Sequence, residues 1–312
     1  MDEFGLIDRY FARGQTDSSV RVGIGDDGAV LSPTPGHELV AATDTLIEDV
    51  HFPPGVDSYD VGWRSVSVNL SDFAAMGAEP RWMTMALSLR DVDSEWLDGF
   101  AAGIFDAAAE AGVSLVGGDT TRGRSLVVTL QVIGEVPVGE AILRSGAKPG
   151  DCLYLTGHPG DAAAGLSEFD SDRGNDDSSD TLRRRFLRPQ ARVGYGFALR
   201  GFAHAAIDVS DGLYADLVKL LDASGVGARL ELDRLPLSAE LKSRYARPQQ
   251  LQFALAGGDD YELLFTGPAE GVPRAGGLPV TAIGEIVAGS GVDCTDGDTR
   301  VDFEHSGYLH FQ

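Results

Sequence analysis

Apolar residues recur along this chain with two periods. From Tyr59 to Met76, the side chains of Tyr59, Trp63, Val66, Leu70 and Phe73 fall at helical spacing, and Gly77 supplies a stop. The spacing predicts a helix that carries Asn69 and Asp72 on one face. A second helix is predicted to start at Asp93 or Ser94, to turn Leu97, Phe100, Ile104, Phe105 and Ala108 inward, and to end at Gly112. Residues 2–13 read as a short amphipathic helix. Apolar runs at 38–43, 82–89, 113–116 and 126–136 read as strands, the first ending at Asp44, and Gly117-Gly118-Asp119 reads as a turn. The resulting order of strands and helices is an α+β pattern of about one domain's length. A boundary is expected near Pro137 to Gly139, giving domains 1–138 and 139–312.

The second half opens with a strand at 152–156 and a loop, Gly157-His158-Pro159-Gly160-Asp161, that runs into a small-residue helix at 162–167. Residues 168–180 are polar and low in complexity and read as a mobile surface loop. After a basic helix start at Arg183 to Arg188 and a helix near 191–203, a strand at 204–208 ends on Asp208, and another helix begins at Asp211-Gly212. Strands at 227–232, 262–266 and 280–287 alternate with helices to the end, and no repeat of short fixed period is visible.

Composition narrows the class. With 43% hydrophobic and 23% charged residues among 312, the chain has enough apolar material for a packed core. There is no run of 18 apolar residues, and the N-terminus MDEFGLIDRYF is acidic, so neither a membrane span nor a signal peptide is indicated and a cytoplasmic protein is expected. The net charge of −23 repels nucleic acid and anionic membranes, so an anionic substrate is expected to arrive with metal ions. Only Lys148, Lys219 and Lys242 among the 25 basic residues are lysines. Cys152 and Cys294 lie far apart with no CxxC, which reads as two reduced structural thiols.

Six acidic motifs flanked by small residues stand out: Gly25-Asp26-Asp27, Thr43-Asp44-Thr45, Asn69-Leu70-Ser71-Asp72, Gly117 to Thr121, Asp208-Val209-Ser210-Asp211-Gly212 and Gly257-Gly258-Asp259-Asp260-Tyr261. Any one of them alone reads equally well as a helix cap or an Asx turn. Together they require either something cationic to neutralise them or their own protonation, since two carboxylates 4 Å apart repel by about 4 kcal/mol even at an effective dielectric near 20. Mg²⁺ fits, because it takes one or two carboxylates and completes its shell with water and phosphate oxygens. The glycine pairs would let backbone N–H groups approach an anion. Arg144 and Arg122 are available cations for a triphosphate. No Gly-Lys-Ser/Thr follows a glycine loop, no His-Arg-Asp occurs, and no Gly-x-Ser-x-Gly sits in a strand context. His51 is the one histidine near a motif, and alone it reads as structural or surface.

Taken in order, Gly23 to Asp27, Thr43 to Thr45, Asn69 to Gly77, Gly117 to Gly123, Arg144 to Ala147, Asp208 to Gly212 and Gly257 to Leu263 resemble the thiamine-monophosphate kinase family over nearly the whole chain. The resemblance implies the two-domain aminoimidazole ribonucleotide synthetase-like fold: an N-terminal α+β domain with a dimerising sheet, and a C-terminal α/β domain. It implies ATP-dependent phosphorylation of thiamine monophosphate to thiamine diphosphate, with Mg²⁺ ions (several per site), direct in-line transfer and a homodimer. By position, Asp27, Thr43, Asp44, Asp72, Asp119, Asp208 and Asp211 are implied metal ligands, with Asp44, Asp72, Asp119 and Asp211 at the centre of catalysis. Gly118, Asp119, Arg144 and Ser210 are implied ATP contacts, and His51, Asp259 and Tyr308 implied thiamine-phosphate contacts. Two positions depart from the family pattern: Ala42 where Ser or Thr is frequent, and Asp259 where Glu is usual.

The alternatives are another ATP-dependent enzyme of the same superfamily, or a non-catalytic metal- or nucleotide-binding protein. Selenophosphate synthetases carry a reactive Cys or selenocysteine near the N-terminus and the hydrogenase-maturation proteins end in a Cys, whereas here the first cysteine is Cys152 and the end is His310-Phe311-Gln312.

Overall fold

The structure is a computed structural model and describes residues 3–12, 17–169 and 176–303. Its contacts divide the chain into two compact units, Met1–Phe73 with Ala78–Gly139, and Ala74–Gly77 with Glu140–Gln312.

Unit 1 begins with helix α1 (Glu3–Leu6), which continues as a π-helical turn, Ile7–Phe11. A short antiparallel pair follows, β1 (Val20–Val22) and β2 (Val30–Leu31). Then come β3 (His37–Ile47), α2 (Ser58–Ala75), β4 (Glu79–Leu89), α3 (Ser94–Ala111), β5 (Ser114–Arg122) and β6 (Val127–Pro137). These four longer strands form one sheet in the order β3-β6-β4-β5, in which only β4 and β5 run parallel. The side-chain period of two separates its faces. Val40, Leu46, Val128, Leu130, Val132, Met83 and Met85 are buried on one face, where Phe73 of α2 lies against Gly134. The opposite face carries Ala41, Thr43 and Thr45, with Thr45 Oγ1 and Thr129 Oγ1 sharing a hydrogen bond of 2.9 Å across the strands. Helix α3 packs closely on α2, because a Cβ at Gly103 would stand 2.0 Å from the Tyr59 carbonyl oxygen.

The caps of α3 are the ones its sequence predicts. Asp93 accepts the amides of Glu95 and Trp96, and Gly112 ends the helix in the left-handed region. Two expectations are corrected. Strand β3 does not stop at Asp44 but runs to Ile47, and Gly117-Gly118-Asp119 is not a turn but the middle of β5. Glycine pairs usually punctuate a chain. Here Gly118 lets two backbones approach, since a Cβ there would sit 2.0 Å from the Met85 carbonyl oxygen.

Unit 2 contains β7 (Cys152–Thr156), α4 (Asp161–Ser167), α5 (Asp177–Leu187), α6 (Val193–Leu199), β8 (Ala205–Asp208), α7 (Leu213–Ser224), β9 (Gly227–Glu231), α8 (Ala239–Arg244) and α9 (Arg247–Ala256). It ends with β10 (Leu263–Gly267), β11 (Val280–Val287), β12 (Gly291–Asp296) and β13 (Thr299–Val301). These strands form a sheet in the order β13-β12-β9-β11-β7-β10-β8, antiparallel except for the pair β9 and β12. Successive residues of its central strands enter two different cores. Leu153, Leu155, Ile207 and Leu264 join Leu213, Leu217 and Leu220 of α7, whereas Tyr154, Ala206 and Phe265 join Tyr195 and Leu199 of α6. Burial on both faces explains why these strands read as continuous apolar runs.

The expectation of a mobile loop at 168–180 is corrected at its two ends, while residues 170–175 lie outside the described residues. Glu168 is buried and its carboxylate takes two hydrogen bonds from Arg244, at 2.9 and 2.8 Å, and one from the Tyr245 hydroxyl at 2.6 Å. Asp176 caps α5 in a capping box with Ser179, so 176–180 belongs to a helix start. Acid-rich composition hid that cap.

Candidate active site

In unit 1 two of the acidic motifs meet around one helix-to-strand contact. Asn69 is buried in α2, donates through Nδ2 to the Ser65 carbonyl at 3.0 Å, and with Oδ1 accepts the backbone amide of Asp44 at 3.0 Å. Asp72 lies three residues further along and shares the helix face of Asn69, as the spacing predicts. The Asp44 carboxyl is raised above the ordinary range by burial, and among the described residues it has no hydrogen-bond or ion-pair partner.

The other acids of unit 1 stand elsewhere. By strand register, Asp44, Leu130, Met85 and Gly118 form one row across the sheet, and Thr45, Thr129, Ala86 and Asp119 the next. Asp44 and Asp119 therefore project from opposite faces, and Thr43 shares the face of Asp119. Asp27 is exposed in the turn between β1 and β2, where its amide bonds Asp26 Oδ1 at 2.8 Å. His51 closes the turn after β3, its Nδ1 accepting the Ile47 amide at 3.0 Å, so a neutral ring carries its proton on Nε2.

Unit 2 brings four of its predicted residues together. Asp208 ends β8 and is buried, and the chain leaves it through Val209, Ser210 and Asp211 to the start of α7. The loop Gly257 to Tyr261 pairs with this exit: the Asp259 amide donates to the Ser210 carbonyl at 2.8 Å and the Tyr261 amide to that of Val209 at 2.9 Å. Both Asp259 (φ 61°) and Tyr261 (φ 51°) hold the left-handed backbone without being glycine, and the Tyr261 hydroxyl donates to Asp259 Oδ1 at 3.0 Å. Such backbone costs roughly 1–3 kcal/mol per residue and is retained where the surroundings enforce it.

Asp216 and Lys219 on α7 fix the first loop, and neither was predicted. Asp216 Oδ2 accepts the amides of Ser210 and Asp211, each at 3.0 Å, while its Oδ1 meets Lys219 Nζ at 2.8 Å. Lys219 Nζ also donates to Asp211 Oδ2. Burial raises the Asp216 carboxyl, with the lysine offsetting part of that shift. Burial also opposes the lysine's charge, but its two carboxylate partners outweigh it and raise its pKa. The i, i+3 spacing of Asp216 and Lys219 was the available signal.

The second loop is anchored from behind by a buried network. Glu262 Oε2 accepts Arg192 Nε at 2.8 Å and Thr156 Oγ1 at 2.6 Å. Asp260 accepts the amides of Gly160 and Ala162 at the start of α4, at 2.8 and 3.3 Å, and desolvation pushes its pKa well up. Neighbouring Asp161, buried and bonded to Ser238 Oγ at 2.5 Å, is pushed up to about 6 by burial.

Arg144 is not brought to this loop by unit 2. Its carbonyl takes a hydrogen bond of 3.0 Å from Ser224 Oγ at the C-terminal end of α7, whereas Asp211 precedes the N-terminal end. A helix of that length separates them by about 18 Å. Tyr308 lies outside the described residues. Cavities of about 950 Å³ in unit 1, beside Phe11, Ile24 and Phe105, and about 560 Å³ in unit 2, beside His158, Arg185 and Arg192, are lined by none of the predicted site residues.

Among the described residues no three His, Cys, Asp or Glu side chains are grouped as they would be around a metal ion. The donors themselves suit a hard cation, being carboxylates and hydroxyls, and the partnerless Asp44 carboxyl fits one. Among the described residues no helix is long and apolar enough to cross a membrane.

The chain is similar to known proteins along its length. Residues 25–136 match the family model of the AIR synthase related protein N-terminal domain, and residues 148–297 that of the C-terminal domain. Thiamine-monophosphate kinase of Escherichia coli K12 is 46% identical over 99% of this chain and 98% of its own. The crystal structure of thiamine-monophosphate kinase from Stenotrophomonas maltophilia K279a superposes with a TM-score of 0.87 at 42% identity, covering 94% of this chain and 96% of the other. AaThiL complexed with AMPPCP and TMP superposes with a TM-score of 0.82 at 34% identity, covering 99% of this chain and 97% of the other.

Proposed function

This chain belongs to the thiamine-monophosphate kinase family, and we propose that it transfers the γ-phosphoryl group of ATP to thiamine monophosphate, giving ADP and thiamine diphosphate. The observation that carries this reading is end-to-end similarity to a protein complexed with an ATP analogue and TMP. The chemistry agrees. A phosphate oxygen of the acceptor is already ionised at neutral pH, so it can attack the γ-phosphorus as the bridging bond to ADP breaks, and no side chain need remove a proton. What the reaction asks of the protein is position and charge compensation.

When bound, Mg²⁺ would neutralise phosphate charge. We assign its ligands to Asp27, Thr43, Asp44, Asp72 and Asp119 of unit 1 and Asp208 and Asp211 of unit 2. The opposite-face placement of Asp44 and Asp119 supports more than one ion. Asn69 holds the Asp44 backbone, and the Asp216 carboxylate holds Ser210 and Asp211 in place. Ser210, Gly118, Asp119 and Arg144 are proposed nucleotide contacts; Asp259, steadied by the Tyr261 hydroxyl, His51 and Tyr308 are proposed contacts to the thiamine phosphate. For Gly118 the close approach to Met85 accounts for the glycine independently of any ligand.

We further propose a cytoplasmic homodimer formed through the four-stranded sheet. Its edge strand β3 carries exposed Leu39, Ala41, Thr43 and Thr45, a small and mostly uncharged face suited to a second copy. Sedimentation at micromolar concentration should give twice the chain mass; a stable, active monomer would overturn the dimer.

Coupled assay of ADP release tests the activity. ADP should appear with thiamine monophosphate and Mg²⁺ and not with aminoimidazole-pathway substrates. Release with the latter alone would move the chain to a sister enzyme, and silence with every acceptor would leave a binding protein.

A further inference from the structure

The ammonium group of Lys219 lies where the proposed chemistry would need Asp211 to be free. Lys219 Nζ donates to Asp211 Oδ2 and, at 2.8 Å, to Asp216 Oδ1. The two acids have different surroundings. Asp216 is 1% exposed in its side chain, with its other oxygen already holding the amides of Ser210 and Asp211. Asp211 is 34% exposed in its side chain, and its Oδ1 has no partner among the described residues. One carboxylate is a fixed anchor; the other is a partly solvated group that can change partner.

We propose that Lys219 is a resident counter-ion for the Asp208 to Gly212 loop: it neutralises Asp211 while no divalent cation is bound and is displaced from Asp211, but not from Asp216, when one arrives. This rests on the reading of Asp211 as a metal ligand. A carboxylate two residues ahead of a helix, beside a buried second carboxylate, would otherwise repel its neighbour and open the loop. An ammonium on a flexible four-carbon stem suits the task, since it holds by charge and by freely rotating donors and can withdraw by rotation of its stem. The arrangement makes Lys219 a positioning residue and, at the same time, a competitor for the metal. Those two roles predict opposite effects of removing it: a merely structural lysine would weaken metal binding when lost, whereas a competitor would strengthen it.

The test is Mn²⁺ titration of the full-length chain without nucleotide, following the free-ion signal by electron paramagnetic resonance. Lys219→Met should bind Mn²⁺ about tenfold more tightly than the wild type, and Lys219→Arg, which keeps the charge, should stay within about twofold. Asp211→Asn should weaken binding both in the wild-type background and when combined with Lys219→Met. A thermal melt supplies the second readout, because Lys219→Met should melt lower than wild type without metal and gain more from saturating Mn²⁺. Equal or weaker Mn²⁺ binding by Lys219→Met, with Asp211→Asn still weakening it, would overturn the counter-ion role and leave the metal reading intact. No effect of Asp211→Asn would instead remove Asp211 from the ligands and this inference with it.

Discussion

Asn69 and Asp44 are tied by a single hydrogen bond, the Asp44 amide donating to Asn69 Oδ1 over 3.0 Å, and through it a helix side chain sets the backbone of the strand that carries the half-buried acid. The bond joins residues 25 apart in sequence. Its loss should therefore be felt both in stability and in the placement of the Asp44 carboxyl.

Replacing Asn69 by Ala leaves the Asp44 amide without its acceptor in a half-buried position. The expected cost is about 1–3 kcal/mol, read as a lower urea midpoint at unchanged slope, together with a fall in kcat. A midpoint within experimental error of wild type would show that the bond does not organise the strand.

Asp44→Asn should separate stability from activity. The folded state raises the pKa of Asp44 because burial disfavours its charge, so above the ordinary carboxylate range the ionised side chain works against folding. Asparagine removes that charge at similar volume, and the melting temperature at pH 8 should rise. Turnover should fall at least about a hundredfold, a usual scale for losing a preorganised charged group. Turnover within a fewfold of wild type would remove Asp44 from the proposed metal ligands.

Asp161 gives a pH dependence. Its folded pKa is about 6 against an ordinary 3.8, so the folded protein holds this proton more tightly than the unfolded chain. The stability that the proton confers is complete below pH 3.8, declines as pH rises, and is gone above about 6. Asp161→Asn keeps an acceptor for Ser238 and abolishes the titration. It should match wild type near pH 4 and exceed it by about 1–3 kcal/mol at pH 8. Parallel stability curves across that range would contradict the assignment.

The pair formed by Arg192 and Glu262 is largely shielded from water, with side chains 12% and 5% exposed. Arg192→Ala leaves the Glu262 charge without its guanidinium and should cost about 3–5 kcal/mol. Replacing both residues by apolar side chains of similar volume should cost clearly less than the sum of the single changes in a double-mutant cycle. Additive costs would mean that the pair is not a coupled unit.

The parts of the fold that could be read from sequence are those where one period dominates. Helix α3 is an example, since Asp93, the inward stripe from Leu97 to Ala108 and Gly112 each state the same element. Where local chemistry competes with tertiary contact, the reading failed. Gly117-Gly118 has the composition of a turn, yet the demand is for close approach to Met85. Residues 176–180 have the composition of a loop, yet the acids there include a helix cap. The candidate site divides in the same way. The motifs locate Asp208, Ser210, Asp211 and Asp259, which the two loops of unit 2 do bring together. They do not locate Asp216, Lys219 or Arg192, whose work is to hold those loops by contacts that composition does not mark.

The two-faced sheet of unit 1 has a thermodynamic corollary. With Asp44 and Asp119 projecting to opposite sides of a layer one strand thick, neither carboxylate belongs to the other's immediate environment. Their contributions to the stability of the metal-free fold should be separable, so that the changes in unfolding free energy on replacing each alone sum to the change on replacing both. Evolution or design could then retune one acid, by charge, length or hydrogen bonding, without readjusting the other. The sheet acts as an insulating septum between two independently adjustable electrostatic compartments.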